Sequence, residues 1–291
     1  MPIDRKKLNS TKSLGTKRRQ QEAALSPSDK ESWRIFRIMA EFVEGFEVMA
    51  PVGKAVSIFG SARARPGDQY YQESEETARL LAKEGFAVIT GGGPGIMEAA
   101  NKGAFEAPGQ SIGLNISLPQ EQEANKYQTI SLDFHYFYAR KVMFTKYATA
   151  FIAFPGGYGT LDEFFETLTL IQTLKVEAFP IILYGTSFWG GLVEWMRQQL
   201  HPKYIDPEDI DIFKIVDSPK DVVRLVTQGI KHHWWAPLDQ DLQYKTGTNG
   251  KGAQTPLSGP RTADTGEGTL YGKRPRRPQK DHAASPRKPQ Q

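Results

Sequence analysis

Residues 150–163 read AFIAFPGGYGTLDE, a short apolar run followed by a proline, three glycines, a threonine and two acids. The next residues, FFETLTLI (164–171), place apolar side chains at helical spacing. Glycine is unfavourable inside regular structure, so a cluster of it between a predicted strand and a predicted helix indicates a turn with a special role. Turns of this kind lie at the carboxyl edge of a parallel sheet, where ligands bind.

Two more glycine-rich turns stand in corresponding places. FGSARA (59–64) and TGGGPGIME (90–98) each follow an apolar run and lead into a helical pattern. Strands that alternate with helices in this way predict an α/β fold with a doubly wound parallel sheet, covered by helices on both faces. The predicted strands are 55–60, 86–90, 111–116, 148–154, 179–185 and 211–216, and the predicted helices are 69–84, 96–105, 136–147, 159–174, 188–200 and 220–227.

The flanking segments differ from this region in composition. Residues 26–50 form an amphipathic pattern with many large apolar groups, which predicts an extra N-terminal helix that packs on the body or on a second subunit. Residues 1–25 and 237–291 are polar, basic and poor in large apolar groups, so we expect disordered basic tails. The sequence thus predicts one α/β domain, over 51–236.

The formal net charge of +4 is unevenly distributed. Residues 1–24 carry +5 and residues 245–291 carry +7, which leaves −8 on the middle of the chain. Basic tails can bind nucleic acid through counterion release, but neither tail has aromatic interleaving or a recognised nucleic-acid module. Solvated tails without a specific partner are the favoured interpretation, and a nucleic-acid role would act through the tails alone.

The composition also disfavours several classes of protein. The chain has no cysteine, which excludes disulfides and thiolate-ligated metals, and its five histidines show no metal-binding spacing. No apolar run approaches the ~20 residues that span a bilayer, and the N-terminus lacks the apolar core of a secretory signal. We expect a cytoplasmic protein with no membrane association, no metal and no other cofactor.

The helices that follow the glycine turns predict a phosphate site. A helix N-terminus offers free N–H groups and a positive dipole end, and glycine lets the backbone approach a ligand closely. In the turn 155–163, the donors would be the amides of Gly156 to Thr160 and the Thr160 hydroxyl. The second turn does not match the G-x-G-x-x-G/A dinucleotide fingerprint, and the chain has no P-loop motif. Three such turns in one small domain favour a mononucleotide or sugar-phosphate site.

Three motifs together resemble those of a known family. GGGPGIMEAANKGA (91–104), the pair Arg140-Lys141 and PGGYGTLDE (155–163) are similar to motifs of the LOG ("lonely guy") family. Its members are cytokinin riboside 5′-monophosphate phosphoribohydrolases and bacterial nucleotide 5′-monophosphate nucleosidases, formerly mislabelled lysine decarboxylases. The likeness covers about residues 56–230. The segment SIGLNISLPQEQEAN (111–125) resembles the longer bacterial branch of the family more than the plant enzymes. The resemblance therefore does not decide whether the substrate is a cytokinin nucleotide.

The resemblance implies a Rossmann-like fold, usually in a homodimer, and hydrolysis of the N-glycosidic bond of a nucleoside 5′-monophosphate. The substrate would be AMP or a cytokinin riboside 5′-monophosphate, and the products would be a free base and ribose 5-phosphate. Arg140 and Glu163 are implied as the catalytic pair. The implied substrate-binding residues are Ser61, Gly92, Gly93, Met97, Glu121, Lys141, Gly156, Gly157, Tyr158, Gly159 and Thr160.

The chemistry of glycosidic cleavage agrees with these roles. The reaction passes through an oxocarbenium-like state, whose positive charge a nearby carboxylate stabilises. Glu163 follows Thr160 by three residues, so a helix would return it to nearly the same face as the phosphate-binding end. Arg140 could make bidentate contacts with phosphate or polarise the leaving base, and Lys141 would add charge near the phosphate.

These residues also have simpler interpretations. Glu163 could cap the helix start, which is the role predicted for Asp162, and Arg140-Lys141 could form a solvated helix face. Ser61 could cap the next helix, and Met97 could be half core and half pocket wall. The whole pocket could also belong to a protein that binds or senses a nucleotide without turnover, although a pure sensor would not need a carboxylate beside the sugar.

Overall fold

Seven parallel strands form one sheet at the centre of the computed structural model, which describes residues 27–117 and 124–232. The strands are β1 (Ala55–Phe59), β2 (Ala87–Thr90), β3 (Ser111–Ile116), β4 (Ile130–Phe134), β5 (Ala148–Ala153), β6 (Ile181–Tyr184) and β7 (Phe213–Val216). The α-helices are α1 (Pro27–Met49), α2 (Gln69–Lys83), α3 (Ile96–Phe105), α4 (Phe137–Tyr147), α5 (Tyr158–Gln172), α6 (Thr186–Trp195) and α7 (Pro219–His232). A π-helical turn (Met196–Leu200) follows α6, and a 3₁₀ helix (Pro207–Ile212) precedes β7.

The order of the strands creates a crevice at the centre of the sheet. The order is β4-β3-β2-β1-β5-β6-β7, and every neighbouring pair is parallel. The chain therefore builds outward from β1 to one edge, returns to the centre at β5, and builds to the other edge. At such a switch point the connections leave the sheet in opposite directions, and a ligand crevice opens beyond the carboxyl ends of the two central strands. Here those strands are β1 and β5, paired through Val56 with Ala150 and Ile58 with Ile152.

Two apolar layers cover the faces of the sheet. Strand β1 alternates between them, with Val56 and Ile58 in one layer and Ala55 and Phe59 in the other. All five of its residues are buried. A parallel strand that is covered on both faces has no solvent side, which explains why its sequence, AVSIF, is nearly continuously apolar.

A buried hydrogen-bond network anchors the second glycine turn, at 90–95. The side-chain carbonyl oxygen of Asn101 accepts hydrogen bonds from the Thr90 hydroxyl at 2.6 Å and from the Asn125 amide at 2.9 Å. The Asn125 amide also donates to the main-chain carbonyl oxygen of Gly92 at 3.0 Å. Because these polar groups satisfy one another away from water, they hold the turn in place at the carboxyl end of β2.

The predicted α/β fold with a doubly wound parallel sheet is confirmed, and each predicted strand and helix is present with shifted ends. Strand β4 was not predicted, because this edge strand (ISLDF) buries only Leu132 and Phe134 and its apolar pattern is short. The predicted N-terminal helix is α1, whereas the predicted tails lie outside the described residues. Within the described ranges, no helix is both long and apolar enough to cross a membrane.

Gly95 lies where the glycine turn at 90–95 contacts the glycine turn at 59–64, and its substitution tests how close that contact must be. Its φ of +72° is a conformation that side chains disfavour, and an added Cβ would overlap the main-chain carbonyl of Ser61. We expect Gly95→Ala to lower the free energy of unfolding by about 1–3 kcal/mol in urea denaturation. Gly53→Ala is the matched control, because the space beside Gly53 is open. An equal loss in both variants would contradict the argument.

Candidate active site

A cleft of about 680 Å³ opens beyond the carboxyl ends of β1 and β5, at the switch point of the sheet. Its sides are the turn after β1 and the turn that leads from β5 into α5. The lining residues are 59–63 after β1, Gly91 and Met97 of the second turn, Ile116 of β3, Phe137 and Arg140 of α4, and 157–163. The cleft thus forms where the fold predicts a ligand.

Main-chain hydrogen bonds join the three glycine turns at Ser61. The Ser61 N–H donates to the Pro155 carbonyl oxygen at 3.0 Å, and the Ser61 carbonyl oxygen accepts from the Ile96 N–H at 3.0 Å. A Cβ added at Gly156 would overlap the side chain of Thr160 and come within 3.1 Å of the main-chain carbonyl carbon of Gly60, in the turn after β1. Glycine at this position therefore serves the close approach of two turns.

The N-terminus of α5 lies at the cleft. The helix begins at Tyr158, and its first N–H groups have no acceptor within the helix. The Thr160 N–H, by contrast, donates to the Gly157 carbonyl oxygen at 3.0 Å. Of the predicted donors from Gly156 to Thr160, the Thr160 amide is therefore already used within the turn. Thr160 can offer a ligand only its hydroxyl.

Arg140 enters the cleft from α4. Its Nε donates to the Leu114 carbonyl oxygen at 2.7 Å, and an Nη donates to the Gly91 carbonyl oxygen at 3.2 Å. The guanidinium also lies 5.1 Å from the centroid of the Phe144 ring. Burial lowers the pKa of Arg140 to about 10, although the nearby Glu163 carboxylate opposes this shift. Two N–H groups of the Arg140 guanidinium are therefore bound to main-chain carbonyl oxygens, and its other N–H groups are available to a ligand.

Glu163 lies one turn into α5 and is only 8% exposed. Burial raises the pKa of this carboxyl group from its ordinary value of 4.5 to about 7, with Glu166 and Asp162 adding to the rise. Lys141 and Arg140 act in the opposite direction and favour the charged form. A carboxyl group of this pKa changes its charge near neutral pH, which is unusual for a structural side chain.

Lys141 is directed away from the cleft and towards the outer side of α5. Its ammonium forms ion pairs with Asp162 at 2.7 Å and with Glu166 at 2.6 Å, and it lines a separate groove along the helix. Burial would lower the pKa of Lys141, but its hydrogen bonds to the two carboxylates outweigh this effect and raise the pKa. Asp162 lies beyond the first turn of α5, so the helix-start role predicted for it is wrong, and its partner is Lys141.

The other predicted site residues divide into three groups. Ser61, Met97, Gly157, Tyr158 and Gly159 line the cleft together with Thr160. Gly92, Gly93 and Gly156 lie behind its wall, where their main chain supports the turns. Glu121 lies outside the described residues.

Several cleft residues were not among the site residues predicted from the sequence, and among them are four with large side chains. Phe59, Ile116 and Phe137 give the cleft apolar walls, and Arg63 adds a second cation beside Ser61. Arg63 forms no side-chain hydrogen bond or ion pair with any other described residue, and its main-chain N–H donates to the Ser61 hydroxyl at 3.1 Å. The signal for Arg63 was available in the turn FGSARA, two residues after a serine that the resemblance had selected. Within the described ranges, no cluster of His, Asp or Glu could hold a metal ion.

Comparisons with known proteins give relatives of the same kind. The family described as "Possible lysine decarboxylase" matches residues 97–226. A cytokinin riboside 5′-monophosphate phosphoribohydrolase from Rhodococcoides fascians is 33% identical over 160 residues, which cover 54% of this chain and 81% of that protein. Cytokinin riboside 5′-monophosphate phosphoribohydrolase LOG1 from Arabidopsis thaliana is 25% identical over 187 residues, which cover 62% of this chain and 85% of that protein.

Among solved structures, a molybdenum cofactor binding protein from Rippkaea orientalis matches with a TM-score of 0.47 and 25% identity, over 61% of this chain and 98% of that one. Superposition at this level does not assign a ligand. The likeness to the Rhodococcoides protein, in contrast, extends over most of that relative. The chain therefore belongs to the LOG family of cytokinin riboside 5′-monophosphate phosphoribohydrolases.

Proposed function

We propose that this protein hydrolyses the N-glycosidic bond of a nucleoside 5′-monophosphate and releases a free base and ribose 5-phosphate. The observation that carries the proposal is the meeting of Glu163 and Arg140 in one cleft with the N-terminus of α5. A buried carboxyl group, a buried guanidinium and a helix N-terminus match the three charges of the reaction, namely the sugar cation, the leaving base and the phosphate. Relatives named as phosphoribohydrolases support the same reaction.

The 5′-phosphate is proposed to bind at the N-terminus of α5. The amides of Gly157, Tyr158 and Gly159, the Thr160 hydroxyl and the dipole of the helix favour a dianion there. Arg63 is the cation we assign to this phosphate. Lys141 is already neutralised by two carboxylates. Ser61, joined to the same turn through Pro155, provides a further hydroxyl.

Glu163 is proposed to stabilise the sugar cation. Water attacks C1′ as the bond from C1′ to the base breaks. The electron pair of that bond leaves with the base, which takes up the proton that the water loses, so the products are the free base and ribose 5-phosphate. The ionised Glu163 carboxylate then faces positive charge that develops on the ribose. Because the site is largely shielded from water, this attraction is stronger than it would be at an exposed position.

Arg140 is proposed to stabilise the leaving base. Two of its donors are fixed on the carbonyl oxygens of Leu114 and Gly91, which leaves other N–H groups for a base that gains negative charge. The apolar walls formed by Phe59, Met97 and Phe137 suit a flat purine, so AMP and cytokinin riboside 5′-monophosphates are the proposed substrates. The cytoplasmic location expected from the sequence stays a prediction.

A panel of nucleoside 5′-monophosphates, analysed by chromatography for released base, tests the reaction. We expect Glu163→Gln to lower kcat/KM for AMP at least ~100-fold, because the amide cannot stabilise a cation as a carboxylate does. Glu166→Gln is the matched control on the same helix and should change kcat/KM only a few-fold. Binding of AMP by the unmodified protein without base release would instead support the nucleotide-sensing alternative.

The stability of Glu163→Gln separates lost chemistry from misfolding. Folding raises the pKa of Glu163 from 4.5 to about 7, so the ionised group destabilises the fold fully above pH 7 and not at all below about pH 4.5. At pH 8 the glutamine variant should therefore be more stable than the unmodified protein, by up to about 3 kcal/mol. The difference should shrink as the pH falls through this window.

The pH dependence of the reaction follows from the raised pKa of Glu163. Since the carboxylate is the active form, kcat/KM for AMP should rise with pH through about 7 in the unmodified protein. In Glu163→Gln this step should be absent, although the substrate phosphate still titrates near pH 6 in both proteins. A rate that falls as the pH rises through 7 would show that Glu163 acts as a proton donor and would overturn its assigned role.

The assignment of Arg63 to the phosphate predicts an effect that depends on the substrate. Loss of a charge-assisted contact worth about 1.5–3 kcal/mol should lower kcat/KM for AMP about 10- to 150-fold in Arg63→Ala. Hydrolysis of adenosine, which lacks the phosphate, should be unchanged by the substitution. Arg65→Ala is the matched control, because Arg65 is exposed and does not line the cleft. An equal effect of Arg63→Ala on both substrates would contradict the assignment.

A further inference from the structure

Helix α1 packs along α4, the helix that carries Arg140. Gly45 lies on the face of α1 that packs on the body, here called its inner face, and an added Cβ would come within 2.8 Å of the Met143 methyl group. At the end of α4, the Tyr147 hydroxyl donates to the Phe46 carbonyl oxygen at 3.4 Å. The inner face also adds Phe42, Val48 and Met49 to the apolar layer that contains Met143. The contact between the two helices thus includes the middle and the end of α4.

The sequence around the start of α4 does not cap this helix. Within the described part of the chain, the side chain of Tyr136, the residue before the helix, caps no N–H group, and the first turn contains no acid. The first N–H groups of a helix lack acceptors within it and form the positive end of the helix dipole. An acceptor at this position therefore has to come from another element.

Glu41 of α1 supplies an acceptor. Its carboxylate accepts hydrogen bonds from the main-chain N–H groups of His135 at 2.9 Å and Tyr136 at 3.2 Å. One of its oxygens also lies 3.2 Å from Nδ1 of His135. The Glu41 side chain is only 11% exposed, so water competes little for these contacts, and a charged acceptor makes them stronger than hydrogen bonds between neutral groups. The carboxylate thus holds the chain where it enters α4.

Two successive hydrogen bonds connect Glu41 with Arg140. The Tyr136 N–H donates to the Glu41 carboxylate, and the Tyr136 carbonyl oxygen accepts from the Arg140 N–H at 3.3 Å. The main chain of Arg140 is therefore tied to α1 through one residue. Its side chain is held separately, on the carbonyl oxygens of Leu114 and Gly91. The direction in which the guanidinium enters the cleft depends on both ends of the residue.

We propose that Glu41 is a positioning residue for Arg140, because it fixes the start of α4 and hence the place from which the guanidinium reaches the leaving base. Glu41 does not line the cleft, so it acts through Arg140 and not on the substrate. The kinetic consequence rests on the role proposed above for Arg140. The placement of the Arg140 side chain is measurable without any reaction.

Nuclear magnetic resonance of the ¹⁵N-labelled full chain tests this placement. The signal of the Arg140 Nε–H group, identified by its loss in Arg140→Lys, should shift or broaden in Glu41→Ala, because this group donates to the Leu114 carbonyl oxygen. Glu41→Gln removes the charge but keeps one acceptor oxygen. It should shift the signal in the same direction by less, and it provides the test if the alanine variant does not fold. Glu44→Ala is the matched control, an exposed acid on the same helix, and should leave the signal unchanged.

Steady-state kinetics with AMP tests the consequence. Since Arg140 is proposed to act on charge that develops in the transition state, Glu41→Ala should lower kcat about 10- to 100-fold and leave KM nearly unchanged. In an Arg140→Ala background, assayed with the protein in excess over AMP, the same substitution should cause no further loss, because its effect passes through Arg140.

The outcomes separate this proposal from the proposed reaction. An Arg140 signal that stays in place in both Glu41 variants would overturn the positioning role. An equal loss of kcat from Glu41→Ala with and without Arg140 would overturn it too, since that result indicates a general weakening of the fold. If Arg140→Ala leaves kcat unchanged, the role of Arg140 in the reaction fails, and the Nε–H signal alone decides whether Glu41 fixes the guanidinium.

Discussion

The hydrogen bond from the Ser61 N–H to the Pro155 carbonyl oxygen spans the switch point of the sheet, and the arrangement of the cleft depends on it. It joins the end of β1 to the end of β5, two strands that lie far apart in the chain and side by side in the sheet. The contact requires two backbones to approach closely, which explains why glycine precedes Ser61 and follows Pro155. Once the turns are joined, α5 can begin only at the wall of the cleft, and Thr160 and Glu163 follow on the same side.

Burial gives the cleft its electrostatic character. Arg140 and Glu163 lie in the same shielded space, where burial opposes the charged form of each and each favours the charge of the other. The pKa of the Glu163 carboxyl group is therefore raised to about 7, so this group changes its charge near neutral pH. Outside the cleft, the Lys141 ammonium lies between the carboxylates of Asp162 and Glu166, which balance its charge. Arg140 and Lys141 are neighbours in the chain, yet Arg140 lines the cleft and Lys141 lies outside it, because their side chains leave α4 in different directions.

Helix α1 packs against α4, the helix that carries Arg140. Its inner face is bound to α4 through Gly45 and through the Glu41 carboxylate, which accepts from the first main-chain N–H groups near the start of α4. Since α4 carries Arg140, α1 supports a wall of the cleft.

The sequence by itself determined the parallel sheet and the order of all its elements but one, because alternating apolar runs and glycine turns are local signals. Arg140 and Glu163 were selected by the resemblance of their motifs to those of a family, and their roles stay predictions. The sequence did not determine β4, whose pattern is short, or the partners of individual charges. Whether Lys141 faces a ligand or a carboxylate depends on Glu166, 25 residues away, and Arg63 reaches the cleft only because β1 pairs with β5. The tertiary structure decides these partners and positions, because they depend on which elements pack together and on which atoms the packing removes from water.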